Sequence, residues 1–234
     1  MTQNKTIQHS HRPGKGVSRV GLFGGTFDPV HLGHLRVVMD VKEGFDLEKV
    51  VVIPSAVPPH KTRQHVSSAE DRLTMTQLCF EARPGFVVSD VELKRQGPSY
   101  TIDTIRYFME LIKPHEQLML IMGTDAFNEI HTWRSYRNIL SETQLIVMKR
   151  PGLAGNMVES AGEYLLSTID KGYRFNMSEG CFRHESYKPV HLFEVSQRDE
   201  SSTEIRQRIK NNLDVSSFLL PEVEAYIRNK GLYR

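Results

Sequence analysis

The sequence predicts an α/β fold, Rossmann-like and doubly wound, with one mostly parallel sheet and helices on both faces. Three observations carry that prediction. Short β-branched apolar runs alternate with helical patterns along almost the whole chain, as repeated βαβ units require. The 234 residues are enough for one large core and few for two. With 39% hydrophobic and 25% charged residues, the composition is that of an ordinary globular domain.

The elements follow in order. Residues 19–24 read as a strand running into a glycine turn. Leu35, Val38, Met39 and Val41 supply the apolar positions of a helix over 34–45. Residues 49–54 form a buried strand stopped by Pro54, and 54–66 a loop. Ser68 opens a helix reaching about residue 82, with Asp71 completing the aspartate version of the capping pattern. A strand is expected over 86–93, a helix over 101–112 ended by Pro114, and a strand over 117–122 leading into Gly123. Residues 144–149 read as a strand stopped by Pro151-Gly152, and 190–195 as the last clear strand. Helices over 202–211 and 221–230 close the chain. The expected organisation is a disordered tail at 1–18 and one domain over 19–234. A helix-containing insertion falls at about 152–189 and has no assigned role. In such sheets ligands gather outside the carboxyl ends of the strands. The loops after Gly24, Pro54, Leu93, Met122 and Val195 are therefore expected to carry the chemistry.

Several function classes are disfavoured. A net charge of +2 lacks the dense basic stripe of a duplex-binding protein. Cys79 and Cys181 are the two cysteines and do not make a disulfide framework. Cys79, in an apolar helical stretch, reads as a small core hydrophobe. No apolar run approaches the roughly 20 residues of a membrane span, and the N-terminal stretch has no signal-peptide core. The expectation is a cytoplasmic protein with neither membrane nor nucleic-acid partner. A transit peptide is the weaker reading of the polar N-terminal stretch, which lacks acidic residues. The oligomeric state is not legible.

The first chemical motif is Gly24-Gly25-Thr26-Phe27-Asp28-Pro29-Val30-His31-Leu32-Gly33-His34. It follows the first strand and opens the first helix. Adjacent glycines let the backbone approach a ligand, and the helix start offers free N–H groups to phosphate. Two histidines three apart project to one side and donate hydrogen bonds. Alone, a Gly-Gly turn is usually a turn. A His-x-x-His pair can be half of a metal site, but no further ligands stand at matching spacing. The whole string reads as a phosphate cradle.

The second motif is Ser201-Ser202-Thr203-Glu204-Ile205-Arg206. A capping box Ser201-x-x-Glu204 and a core stripe of Ile205 and Ile209 account for part of it. Ser202, Thr203 and Arg206 remain, two hydroxyls and a guanidinium at a helix start, suited to an anion. A capped surface helix is the default for this string alone. Between the two lie weaker signals. Gly123-Thr124-Asp125 follows a strand, and its carboxylate suits a ribose or metal-bound water, though such strings often merely start helices. Trp133, the single tryptophan, suits either a planar ring or the core. Tyr100 and Thr101 open a helix, Lys61 sits in a proline-stiffened loop, and Arg150 ends a strand. These suit a carboxylate and phosphates respectively, or equally caps and surface loops.

His31-Leu32-Gly33-His34 resembles the His-x-Gly-His signature of the nucleotidyltransferase superfamily related to class I aminoacyl-tRNA synthetases. The string from Gly24 to His31 is similar to the form found in bacterial nicotinate-nucleotide adenylyltransferases. Ser201 to Arg206 resembles that family's Ser-Ser-Thr-x-Ile-Arg element, which grips ATP phosphates where the synthetases use a lysine loop. The resemblance runs from Val20 to the closing Lys230-Gly231-Leu232-Tyr233-Arg234. It implies adenylyl transfer from ATP to nicotinate mononucleotide, giving nicotinate adenine dinucleotide and pyrophosphate. It implies that His31, His34 and Arg206 are catalytic, with Ser202 and Thr203 holding the β- and γ-phosphates. Phe23, Gly24, Gly25, Gly123, Asp125 and Arg150 would complete the ATP site. Thr26, Lys61, Tyr100, Thr101, Trp133 and Arg134 would form the acceptor site, Trp133 stacking on the pyridine ring. The Thr101 backbone and hydroxyl and the Arg134 N–H would hold the carboxylate. Mg²⁺ would travel with ATP on phosphates and water, without direct protein ligands. The family often has an aromatic residue after the tryptophan, where this chain has Arg134. That basic side chain either strengthens the preference for the acid over the amide or points to solvent. Alternatives are a related adenylyltransferase acting on nicotinamide mononucleotide or phosphopantetheine, and a catalytically silent nucleotide sensor.

Overall fold

The computed structural model describes residues 17–56, 66–149, 156–196 and 200–234. Eight strands form one sheet in the order β3-β2-β1-β4-β5-β8-β7-β6. They are β1 Ser18–Gly25, β2 Lys49–Pro54, β3 Phe86–Val88, β4 Glu116–Gly123, β5 Gln144–Lys149, β6 Arg174–Asn176, β7 Cys181–Arg183 and β8 Val190–Glu194. Six are joined by parallel pairing, while β7 is antiparallel to both β6 and β8. Strand order reverses between β1 and β4, which leaves a crevice at their carboxyl ends.

The period-2 alternation of side chains splits the core into two layers. On β1, Phe23 points to one face and Val20 and Leu22 to the other. On β2, Val50 and Val52 oppose Val51 and Ile53. On β4, Met119 and Ile121 oppose Leu118, Leu120 and Met122. The first face is covered by α1 (Leu32–Gly44), α2 (Ala69–Phe80), α8 (Ser202–Lys210) and α9 (Pro221–Lys230). The second face is covered by α4 (Thr101–Leu111), α5 (Thr124–Asn128), α6 (Tyr136–Glu142) and α7 (Met157–Tyr164), with α3 (Val91–Lys94) at its margin. Each fully buried Val, Leu or Ile contributes about 1.5–3 kcal/mol, so both layers carry much of the stability.

Several boundaries differ from expectation. The first helix starts at Leu32, because His31 is its N-cap. The strand expected over 86–93 ends at Val88, since α3 begins three residues later; the site loop at that position therefore starts earlier than Leu93. The short helices α5 and α6 and a 3₁₀ turn at Ile130–Thr132 lie in a stretch where no element was expected. The insertion holds α7 and a π-helical turn, and also the antiparallel pair β6–β7 that extends the sheet. Ser18 belongs to β1 and not to the tail; residues 1–16 of that expected tail lie outside the described residues. Cys79 and Cys181 are free and buried, and burial pushes their thiols up to about 12 and about 11.

Candidate active site

Residues 28–34 and 202–206, far apart in sequence, meet at the start of α1. His31 and His34 cap it reciprocally: the His34 N–H donates to His31 Nδ1 and the His31 N–H to His34 Nδ1, both at 3.3 Å. Each Nδ1 is thus an acceptor, so a neutral ring carries its hydrogen on Nε2. The rings lie 3.7 Å apart between centroids, and Phe27 meets His34 edge-on at 5.2 Å. His31 is buried and His34 half-buried.

Gly33 is explained by this stacking. A Cβ there would lie 2.9 Å from His31 Nδ1 and 3.2 Å from Glu200 Oε2. Glu200 is buried and pairs with Arg36 at 3.1 Å through its other oxygen. Gly33→Ala is expected to push the His31 ring aside and lower turnover about tenfold, the effect of a displaced catalytic group. Steady-state kinetics check this, and an unchanged rate would show that the ring position is not critical. Gly25 has a similar origin, since a Cβ would strike the Phe27 ring at 2.8 Å. Gly24 and Gly123 face open space, with no atom closer than 4.0 Å to a Cβ at either.

The start of α8 is tied to the same turn. Ser202 Oγ donates to the Pro29 carbonyl at 2.9 Å, and Arg206 Nη1 to the Asp28 carbonyl at 2.7 Å. Arg206 Nη2 donates to Thr203 Oγ1 at 3.3 Å. Ser202 thus spends its hydroxyl hydrogen on backbone and keeps its lone pairs, while Arg206 still has N–H groups to spare. Of the capping box expected here, the Ser201 half forms, accepting the Glu204 N–H at 3.1 Å. Glu204 instead lies 3.7 Å from Arg208.

A cavity of about 400 Å³ opens at the crevice between β1 and β4. It brings together Phe23 of β1 and Gly24, Gly25 and Thr26 of the first motif with Gly123 at the end of β4. Tyr100 and Thr101 from the start of α4, and Trp133 and Arg134, form its other wall. The Tyr100 side chain makes no cap to α4, and the Arg134 guanidinium sits 4.6 Å over the Tyr100 ring. Asp125 is exposed in α5 and does not line this cavity, nor do His31, His34 or the residues of α8. Lys61 and Arg150 lie outside the described residues.

Sequence reading missed the supports of this site. Arg72 is 1% exposed. It donates to the carbonyls of Thr26 at 2.8 Å, Ser55 at 2.6 Å, Ala56 at 3.0 Å and Ser67 at 3.1 Å. Burial pulls its pKa down, and Asp28 opposes that. The signal was available: Arg72, Met75, Thr76 and Cys79 share one buried helix face. Asp28, also buried, accepts from Tyr233 Oη at 2.7 Å and from the Ser67 N–H at 3.3 Å. Burial pushes the Tyr233 phenol up, reinforced by Asp28. Glu92 lines the cavity floor; burial raises its carboxyl, opposed by hydrogen bonds from Thr104 and Ser99 and by Arg95.

A glycine turn beside a paired-histidine helix start, at the switch point of a parallel sheet, defines a nucleotidyltransferase. The cytidylyltransferase-like family model matches residues 22–208. A probable nicotinate-nucleotide adenylyltransferase of Desulfatibacillum aliphaticivorans is 40% identical over 220 residues, covering 92% of this chain and 99% of its own. Another, from Moorella thermoacetica, is 43% identical over 224 residues, covering 95% and 93%. The chain belongs to the nicotinate-nucleotide adenylyltransferase family. A Plasmodium falciparum nicotinic acid mononucleotide adenylyltransferase complexed with NaAD has the same fold, with a TM-score of 0.68 at 16% identity over 92% of this chain and 97% of that one. Among the described residues, no helix is long and apolar enough to cross a membrane.

Proposed function

We propose that this chain adenylylates nicotinate mononucleotide with ATP. The observation that carries the reading is the single cavity that joins the Gly24–Thr26 turn to Tyr100, Thr101 and Trp133. The acceptor's phosphate oxygen attacks the α-phosphorus of ATP, the bond from that phosphorus to the bridging oxygen breaks, and pyrophosphate leaves with the electron pair. The nucleophile needs no general base, because a phosphomonoester's second pKa is about 6. The chain's own work is alignment and charge neutralisation. His31 and His34 face the α- and β-phosphates, Ser202, Thr203 and Arg206 the β- and γ-phosphates. Thr101 and the Arg134 N–H hold the nicotinate carboxylate while Trp133 stacks on the ring. Asp28 accepts from Tyr233 and Glu200 pairs through one oxygen with Arg36; Mg²⁺ would be carried by ATP on phosphate oxygens and water. Bound so, Mg²⁺ offsets phosphate charge. Lys61 and Arg150 would add cations, and the expected compartment is the cytoplasm.

The test is pyrophosphate release with ATP and Mg²⁺, offering nicotinate mononucleotide, nicotinamide mononucleotide and phosphopantetheine in parallel. Strong preference for the first is expected. Activity only with another acceptor would discard the assigned acceptor pocket, and silence with all three would favour a nucleotide sensor. Trp133→Ala is expected to raise KM for nicotinate mononucleotide about tenfold, since ring stacking is worth about 1–3 kcal/mol. KM for ATP should move less than about twofold; equal losses for both substrates would remove Trp133 from the acceptor site.

A further inference from the structure

Asp28 is the one carboxylate of the first motif, and the reaction above gives it no task. It is 3% exposed. Its Oδ1 accepts from Tyr233 Oη at 2.7 Å and from the Ser67 N–H at 3.3 Å. Its Oδ2 faces Arg206, yet Nη1 stays 4.0 Å away. A guanidinium beside a carboxylate ordinarily closes to about 2.7–2.9 Å, often as a bidentate fork. Here Arg206 gives Nη1 to the Asp28 carbonyl at 2.7 Å and Nη2 to Thr203 Oγ1 at 3.3 Å. Arg72, whose charge Asp28 also faces, gives its hydrogen bonds to carbonyls. The carboxylate is thus pinned through one oxygen while the other stops short of Arg206. Both ends of the pinning bond are held against backbone preference. Phe27, just before Asp28, and Tyr233 itself have φ of 51° and 64°, the left-handed region that a Cβ disfavours.

We propose that Tyr233 is a positioning residue for ATP: its hydroxyl holds the Asp28 carboxylate off the Arg206 guanidinium, so that Arg206 keeps its charge and its spare N–H groups for the phosphates of the nucleotide. This rests on the reading of Arg206 as a phosphate-binding residue. Without the phenol, Oδ1 keeps only the longer bond from Ser67. The carboxylate then turns and closes on Arg206, and it competes with the phosphates for one cation.

The experiment is steady-state kinetics of the full chain with ATP and nicotinate mononucleotide each varied, for wild type, Tyr233→Phe, Asp28→Asn and the Tyr233→Phe/Asp28→Asn double variant. Tyr233→Phe is expected to raise KM for ATP about tenfold, the scale of one hydrogen bond to a charged group, with KM for nicotinate mononucleotide within about twofold. A purely structural role would lower kcat through a smaller folded fraction and move neither KM. Asp28→Asn keeps an oxygen for Tyr233 and Ser67 but has no charge to close on Arg206. In that background Tyr233→Phe should raise KM for ATP about twofold or less. A wild-type KM for ATP in Tyr233→Phe, a tenfold rise in both backgrounds, or equal rises for both substrates would overturn the proposal alone. Wild-type silence with ATP and every acceptor offered would overturn the function reading and this proposal with it. Arg206→Ala replaces Asp28→Asn in the cycle if the latter does not fold. With the guanidinium gone, Tyr233→Phe should again add about twofold or less, and a tenfold rise there would also overturn the proposal.

Discussion

Replacing His34 with alanine is expected to lower turnover by about 10²–10³, the effect of losing one donor that acts mainly in the transition state. The geometry makes the case specific. His34 sits in the first turn of α1, its Nδ1 already takes the His31 N–H, and it is the less buried of the two stacked rings. With Nδ1 accepting, the ring is neutral and carries its hydrogen on Nε2, at the start of the helix. The same substitution removes one half of the reciprocal cap, which costs about 1 kcal/mol of stability. Steady-state kinetics beside a thermal midpoint separate the two effects. A large fall in kcat with a midpoint lowered by a few degrees is the expected pair. Unchanged turnover would sink the assigned role.

Arg72→Met is expected to lower the free energy of unfolding by about 3–5 kcal/mol. Removing a buried guanidinium that serves four backbone carbonyls takes that donor from all four, and Asp28 loses a buried cation. The four carbonyls belong to the loops after β1 and β2 and to the approach to α2, so activity should fall with stability. Lysine should not rescue, since a point charge on a flexible stem does not reach four acceptors set by a planar fork. Urea denaturation gives the measurement, and a loss under about 1 kcal/mol would show that the loops hold without this arginine.

The sheet was legible because its strands are apolar runs bounded by Pro and Gly, and local pattern suffices for those. The phosphate-facing residues stood out because both strings are long and each follows a strand. The supports were not legible, for a physical reason. Arg72, Asp28 and Glu92 act mostly through partners 12 to 205 residues away, Ser67 beside Arg72 being the near one, and burial of a charge is a property of what packs over it. Sequence spacing also left the histidines as two donors on one side of a turn. It did not show that they cap each other's backbone, which needs the extended conformation of His31. The hairpin β6–β7 escaped for another reason: strands of three residues are too short for a period-2 pattern.

The bonds from Arg206 and Tyr233 to Asp28 span 178 and 205 residues. Their length in sequence has a consequence for how the enzyme is made. The ribosome extends a chain at about 5–20 residues per second, so the Gly24–His34 turn is synthesised roughly 10–40 s before the side chains that brace it. By the end of that interval all eight strands have been made, yet the turn still lacks its guanidinium and its phenol. A nascent chain stopped short of α8 thus carries the glycine turn and the histidine pair without the second half of the cradle, and competence waits for the side chains that brace it.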